Sequence, residues 1–591
     1  MYLCIDLMSI FVYDLVIILI PRRICLQMNN IKNFVLKIIA ISLLMVLAYI
    51  LFENAEYFRP KEVFEKDVLR LVVDDKDVTN KLPHEIYVKD NVVMMSRTTA
   101  MKYFDNIYIH HDEKYDVVTI TSNKMVGKIK IGENKIKVNG EERKIDGTAL
   151  FSGEELFIPI SSIEDVTEVD IDYNEKVVAT TPRGWSRVKV AISPCEQKLK
   201  GYKREVSLTN GIIESGEELY IFDTENKKNE DYITVRNVRG DIGYIMYQKI
   251  QAANILYFNQ GTEIQKKEAY DEIKYSLVWE YAENYTPDRS NEKKNKAIDI
   301  ISPTWLYLKD DKGNIKSTID KKYFEWAKSE NYAVWPTLKN DLIKIEELST
   351  IMNDMQLRDT LIDNVVDYAV ENKLDGINID IEYMYESDKD EFSQFVRELS
   401  SNLRRNKVVV SVDVTIPGGS PEYSLCYDRK ALAKAVDYMM LMAYDQYGNF
   451  SNNAGPTASL SWVEANIQTM LGYEGVDNDK LFLCVPFYSR YWVVNSDTNQ
   501  KKSTEAINMK TANNYLEKYK EYAKWSEIEG QYYIEVPQKD SIIKIWIENE
   551  DSLKEKIELI NKYDLAGVAA WRWGFEDDKA FSTIDETMNI Q

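Results

Sequence analysis

Leu374 to Glu382 reads LDGINIDIE, and three of its residues carry groups that can do polar chemistry: Asn378, Asp380 and Glu382. Successive side chains of an extended strand point to opposite faces, so these three share one face and Ile377, Ile379 and Ile381 share the other. Three polar groups in a row inside a protein are costly unless they are hydrogen-bonded or used in chemistry. Two carboxylates two residues apart on one face suit acid–base work. A purely structural network is the alternative reading. Imidazole chemistry is excluded over most of the chain, because the only histidines are His84, His110 and His111. Neither a Ser-His-Asp triad nor a His-ligated zinc can form beyond residue 111. No metal and no cofactor is expected. The five cysteines have no CxxC spacing, and Cys426 and Cys484 read as small buried residues.

The elements that must position these groups lie in residues 262–591. Short apolar runs begin at Tyr275, Ile298, Tyr332, Gly376, Val408, Tyr438, Leu481 and Gly567, with helical stretches between them. Eight near-continuous hydrophobic strands alternating with helices predict an α/β fold, a (β/α)8 barrel with its active site at the strands' C-terminal ends. LDGINIDIE is then the fourth strand, with Glu382 at the mouth. Tyr532–Val536 and Ile542–Glu548 read as a hairpin inserted between strands seven and eight, expected to form one wall of a groove.

DGINIDIE resembles the D-G-x-x-x-D-x-E signature of glycoside hydrolase family 18, the chitinase-like and N-acetylglucosaminidase barrels. Met442-Ala443-Tyr444-Asp445 is similar to that family's M-x-Y-D, Pro486–Arg490 to its P-x-Y-x-R, and Gly567–Trp571 to its last strand. The resemblance implies a retaining, substrate-assisted hydrolysis in which the acetamide of an N-acetylated glycan is the nucleophile. It assigns Glu382 as the general acid, Asp380 as the partner of the acetamide N–H and of the oxazolinium, and Tyr444 as the holder of the acetamide oxygen. Asn378, Asp445, Tyr488, Arg490 and Trp571 become substrate contacts, with Trp571 offering a flat face to a sugar ring. The sequence departs from the family in two places. Many members have Asp where this chain has Asn378, and the S-x-G-G usual after the third strand is replaced by Trp335-Pro336-Thr337-Leu338. The implied substrate is an N-acetylglucosamine-containing polysaccharide, peptidoglycan or a chitin-like glycan. A non-catalytic carbohydrate-binding or cell-wall scaffold protein on the same barrel is the alternative.

Two small β domains precede the barrel. Residues 60–185 show short alternating runs and a weak internal repeat, in which Asn91–Ser96 leading to Glu113–Thr119 is echoed by Glu155–Ile160 leading to Asn174–Ala179. The pattern resembles the copper amine oxidase N-terminal-like domain, for which a spacer or wall-contact role is expected. His110 and His111 cannot jointly hold a metal if they sit side by side on a strand. Residues 187–255 resemble a bacterial SH3-like domain, ending in Gly240-Asp241-Ile242-Gly243-Tyr244-Ile245. Further upstream, Phe34–Phe52 is an apolar run of membrane-spanning length with basic residues on its N-terminal side. A transmembrane anchor at 34–52 is expected, with residues 1–33 cytoplasmic and everything from 60 onward outside the cell membrane. A cleavable signal peptide is the alternative, disfavoured because no A-x-A pattern follows. Asp6 and Asp14 interrupt the first apolar stretch, and Met28 opens a cleaner start, so residues 1–27 are expected to lie upstream of the true initiator. Lys and Arg number 74 against 96 Asp and Glu, a net charge of −22, which excludes nucleic acid as a partner.

Overall fold

The structure, a computed structural model, describes residues 274–588 throughout and most of 69–252. The proposed anchor at 34–52 and initiator at Met28 lie outside the described residues, apart from three positions of the former. No helix among the described residues is long and apolar enough to cross a membrane. The chain divides into two compact units: one holds residues 186–258, the other the preceding β module together with the C-terminal segment.

In the larger unit eight parallel strand positions close into a ring: β1 (Tyr275–Glu280), β2 (Ile300–Pro303), β3, β4 (Gly376–Asp380), β5 (Val409–Thr415), β6 (Tyr438–Met442), β7 (Leu481–Pro486) and β8 (Gly567–Trp571). β8 pairs with both β7 and β1, which closes the barrel. β3 is in two pieces. Ala333–Val334 pairs with β2, and Thr337–Lys339 pairs with β4. Trp335 and Pro336 make the step between them, and the Pro336 carbonyl accepts the Asn378 N–H at 3.0 Å. The Trp335 indole covers Gly376, and a Cβ there would lie 2.5 Å from the ring. The glycine of the D-G pair is therefore needed for packing.

Outward-facing strand residues such as Ile377, Ile379 and Ile381 are buried against the surrounding helices. Inside the ring a smaller apolar plug includes Leu277, Trp279, Trp335, Met440 and Phe482. Two of the helices matter below: α1 (Met355–Glu371) and α2 (Lys389–Arg405). The expected alternation fails once, because β1 and β2 are joined by a loop without a helix. The expected hairpin is present as Gln531–Pro537 paired with Ser541–Ile547, but it belongs to a five-stranded antiparallel sheet that begins at Tyr488–Asn495.

The β module upstream repeats one unit. Val92–Ser96 runs into the helix Arg97–Tyr103, and Glu155–Pro159 runs into the helix Ile160–Val166. The two leading strands pair antiparallel. The module packs on α1 and α2, and buried charges make the join. Arg358, 1% exposed, lies 2.6 Å from Glu391 and 3.4 Å from Asp112. Lys128 lies 3.0 Å from Glu398 and also meets Asp359. Lys114 and the Tyr115 hydroxyl reach Asp354, the residue whose carboxylate caps α1. The module is thus docked on the barrel. His110 and His111 turn to different carboxylates, Glu391 and Asp116. Burial, reinforced by Arg358, lowers the His110 pKa to about 4 and keeps its ring neutral.

The smaller unit holds, among the described residues, a seven-stranded sheet with Leu199, Leu219, Ile233, Val235 and Ile245 in its core.

Candidate active site

A pocket of about 320 Å³ opens at the C-terminal ends of the strands. Its wall contains seven of the eight residues singled out from sequence: Asp380, Glu382, Tyr444, Asp445, Tyr488, Arg490 and Trp571. Asn378 does not line it. The inward alternation of β4 puts Asn378 one level below the pocket, fully buried and tied into the barrel interior. Its amide donates to Ser411 Oγ at 3.0 Å and Asp413 Oδ1 at 2.6 Å, and its oxygen accepts from Trp279 Nε1 at 2.9 Å. Asn378 is a strut between β1, β4 and β5, and a substrate cannot reach it.

Glu382 stands just past the end of β4. Its backbone is clamped on both sides by Asn340, whose amide accepts from the Glu382 N–H at 3.0 Å and donates to its carbonyl at 2.7 Å. Tyr427 donates to the neighbouring Ile381 carbonyl at 2.8 Å. These contacts set the direction of the side chain before any ligand arrives. Burial, and after it the charge of Asp380, raises the Glu382 pKa to about 8, against an opposing pull from Lys339. A carboxyl that still carries its proton at neutral pH can donate it.

Asp380, two residues back, is buried; that raises its pKa, while Lys339 opposes the rise. The Lys339 ammonium stands 3.8 Å from Asp380 Oδ2 and 2.8 Å from Asp341. Burial alone would lower the Lys339 pKa, but Asp380 and Asp341 outweigh it and keep the side chain charged. The other Asp380 oxygen, Oδ1, is buried without a hydrogen-bond partner, leaving an acceptor for a ligand N–H.

The opposite wall is polar and partly pre-paired. The Tyr488 hydroxyl donates to Asp445 at 2.8 Å, and Arg490 stands 3.5 Å from the same oxygen. Tyr444 packs edge-on to Tyr488, with ring centres 6.5 Å apart, and burial raises its pKa well above the usual phenol range. Its hydroxyl remains a donor at any working pH. Trp571 lies at the floor beside Trp279, centroids 6.1 Å apart. The expected groove wall is corrected here: the strand Tyr488–Asn495 contributes Tyr488 and Arg490, whereas neither strand of the hairpin reaches the pocket.

Asp413, Lys339, Asn340 and Trp279 escaped the sequence reading. Asp413 was within reach of it, since Ser411, Asp413 and Thr415 alternate with Val410, Val412 and Val414 just as the polar residues of β4 alternate with isoleucines. Burial and the nearby Asp380 raise the Asp413 pKa well above the carboxylate range. No cluster of three potential metal-ligating His, Cys, Asp or Glu exists among the described residues.

Residues 339–576 match the family model for glycosyl hydrolases family 18, and residues 72–180 match the copper amine oxidase N-terminal domain. The chain carries a family 18 glycosyl hydrolase domain. It is a glycosidase. The matched span runs from Lys339 on β3 past Trp571 on β8 and contains every residue lining the pocket except Trp279. The chain is 24% identical over 296 residues to the uncharacterized glycosylase YvbX of Bacillus subtilis, covering 48% of this chain and 83% of that one. It is 19% identical over 263 residues to the cortical fragment-lytic enzyme of the same organism, covering 43% and 59%. A crystal structure of a chitinase from Chromobacterium violaceum superposes with a TM-score of 0.48 at 18% identity, covering 54% of this chain and all of that one.

Proposed function

We propose that the protein is a membrane-anchored, extracytoplasmic glycosidase that cleaves β-1,4 bonds of an N-acetylated glycan, peptidoglycan above all, with retention and by substrate assistance. The observation that carries the mechanism is the division of labour along β4. Glu382 has a pKa of about 8 and so holds a proton, while Asp380 beside it keeps one oxygen unpaired. Glu382 protonates the glycosidic oxygen as the bond to the anomeric carbon breaks. The substrate's acetamide oxygen bonds to that carbon from the other face, held by the Tyr444 hydroxyl, and Asp380 accepts the acetamide N–H and offsets the positive charge of the oxazolinium. Ionised Glu382 then takes a proton from water, which opens the ring with overall retention. The other carboxylates are engaged elsewhere: Asp445 accepts from Tyr488, and Asp413 accepts from Asn378 below the pocket. None is left to serve as a protein nucleophile. Trp571 and Arg490 would contact the sugar on either side.

Peptidoglycan is favoured over chitin by the similarity to a cortical fragment-lytic enzyme and by the predicted export of residues 60–591. The apolar run Phe34–Phe52 supports the anchor, and the unit at 187–255 is read as an SH3-like wall-contact domain. Turnover of matched N-acetylated and de-N-acetylated oligomers tests the mechanism. Only the acetylated series should be cleaved; equal turnover of both would eliminate substrate assistance.

A further inference from the structure

Lys339 on β3, Asp380 on β4 and Asp413 on β5 stand in one row across the barrel interior. Strand pairing sets the row. Lys339 is in register with Asp380, and the pairing of Asn378 with Ser411 and of Ile379 with Val412 continues to Asp380 and Asp413. Paired strands lie about 4.8 Å apart and present paired residues on one face. All three side chains line the catalytic pocket, as does Glu382.

Positive charge is shared unequally along this row. The Lys339 ammonium lies 3.8 Å from Asp380 and 2.8 Å from Asp341, and Asp380 stands between it and Asp413. Arg490, the other cation of the pocket wall, is beside Asp445. Asp413 is 2% exposed, and the partner of its Oδ1 is a neutral donor, the Asn378 amide at 2.6 Å. Tyr444 past β6 and Cys484 on β7 also feel its charge, and both stay neutral because burial raises their pKa values well above the usual range. One ammonium thus faces three carboxyl groups, Asp380, Glu382 and Asp413. Ionising Asp380 and Asp413 together would add like-charge repulsion to the cost of burial. An ordinary ionised acceptor for Asn378 is the plain alternative for Asp413. Burial, and after it the charge of Asp380, raises the Asp413 pKa well above the carboxylate range, and the Asn378 hydrogen bond opposes that rise without cancelling it.

We propose that Asp413 is a positioning residue of the glycosidase reaction, which holds one proton throughout the cycle so that Asp380 remains the single carboxylate beside the substrate's acetamide. This rests on the catalytic reading above. Oδ1 accepts from Asn378, so Oδ2 carries the proton. Glu382 then begins with its own proton, and Asp380 begins ionised and offset by Lys339. When the glycosidic bond breaks, the Glu382 proton passes to the leaving oxygen, and the new negative charge on Glu382 appears together with the positive oxazolinium. The total charge of the site does not change, and Asp413 neither gains nor loses a proton. An ionised Asp413 would instead draw a proton onto Asp380 and weaken the acceptor, Oδ1, that the acetamide N–H needs. Asn378 fits the same scheme, because an amide at that level adds no fourth carboxyl.

The test counts protons on the full-length protein. Asp413→Asn keeps the shape and cannot ionise. A proton held by the fold and absent from the unfolded chain makes the unfolding constant of the wild type, relative to the variant, rise about tenfold per pH unit, so about a hundredfold between pH 5 and pH 7. A ratio that stays flat would overturn the proposal, because an Asp413 ionised in the fold gives no slope. Infrared spectra of protein labelled with carboxyl-13C aspartate give an independent reading at pH 7. The carbonyl stretch of a protonated aspartic acid should be present in the wild type, retained in Glu382→Gln and lost in Asp413→Asn. Its absence from the wild type, or its persistence in Asp413→Asn, would overturn the assignment. In turnover of an N-acetylated oligomer the alkaline limb set by Glu382 should stay in place in Asp413→Asn. Loss of an ionised neighbour would instead move that limb down by about 1–3 pH units, and such a move would also overturn the proposal. The stability and infrared readings need no substrate, so failure here is distinct from failure of substrate assistance, which the de-N-acetylated oligomers report.

Discussion

Replacing Glu382 by Gln should stabilise the protein in alkali while destroying its activity. The side chain keeps its shape and loses its titration. In the wild type the folded barrel raises the Glu382 pKa from 4.5 to about 8, chiefly by burial and then by Asp380. The group therefore binds its proton more tightly folded than unfolded. Its favourable contribution is complete below pH 4.5 and is lost as the pH rises through about 8. At about 1.4 kcal/mol for each tenfold change, burying this group costs about 3 kcal/mol at pH 7, where folding must take up a proton, and nearly 5 kcal/mol at pH 9, where the carboxylate is held ionised. Between pH 6 and pH 9 the wild type should lose about 3 kcal/mol through this group alone, and Glu382→Gln should not. Denaturant titrations of both proteins at the two pH values give the comparison, and the difference should also show as a few degrees in Tm. Turnover of an N-acetylated oligomer should fall about 10²–10⁴-fold. Parallel loss of stability in the two proteins would refute the reasoning, because it would show that the site does not disfavour the ionised carboxylate. Activity that survives in the variant would remove Glu382 from the acid role.

Lys339→Met removes a cation 3.8 Å from Asp380, an interaction of about 4 kcal/mol at an effective dielectric of 20. Asp380 and Glu382 should both hold protons more tightly, and the alkaline limb of the pH–rate profile should move to higher pH; an unmoved limb would show that the lysine is electrostatically silent. Asn378→Asp gives up two donated hydrogen bonds, to Ser411 and Asp413, and should cost about 1–3 kcal/mol, more at pH 9 than at pH 6; denaturation at both values checks this, and an equal cost at both would mean the new carboxyl is already ionised in the fold at pH 6. Arg358→Met leaves Asp112 and Glu391 without their shared cation and should cost about 3–5 kcal/mol in chemical denaturation; a loss below about 1 kcal/mol would mean the module adds nothing to the stability of the barrel.

The catalytic strand was legible because its code is local: period-two alternation alone separates Asp380 and Glu382 from the isoleucines behind them. The same rule marks Asp413, but a single acid in VVSVDVT lacks the redundancy of the NIDIE run and drew no notice. Lys339 and Asn340 were less visible, since they gain meaning only when β3 closes against β4. That closure depends on the step at Trp335-Pro336, where an apparent departure from the family pattern turns out to be the break between two half-strands. Asn378 was placed on the correct face and at the wrong depth, because alternation gives direction and says nothing of level within the barrel. The docking of the β module was hidden for a different reason. Gln394, Arg397 and Glu398 read as the solvent face of an amphipathic α2, yet Gln394 and Glu398 are buried under the module.

That buried polar join bears on how such a protein can evolve. Family 18 domains and small β modules are portable pieces, and an apolar seam would accept many partners of similar shape. This seam would not. A replacement module must bring a carboxylate to Arg358 where Asp112 stands and an ammonium to Glu398 where Lys128 stands, or leave a charge stranded in the interior. Recombination at residues 185–262 would leave the match intact only if the module and the barrel travelled together, although the smaller unit lies between them in the chain. The two therefore form one hereditary block.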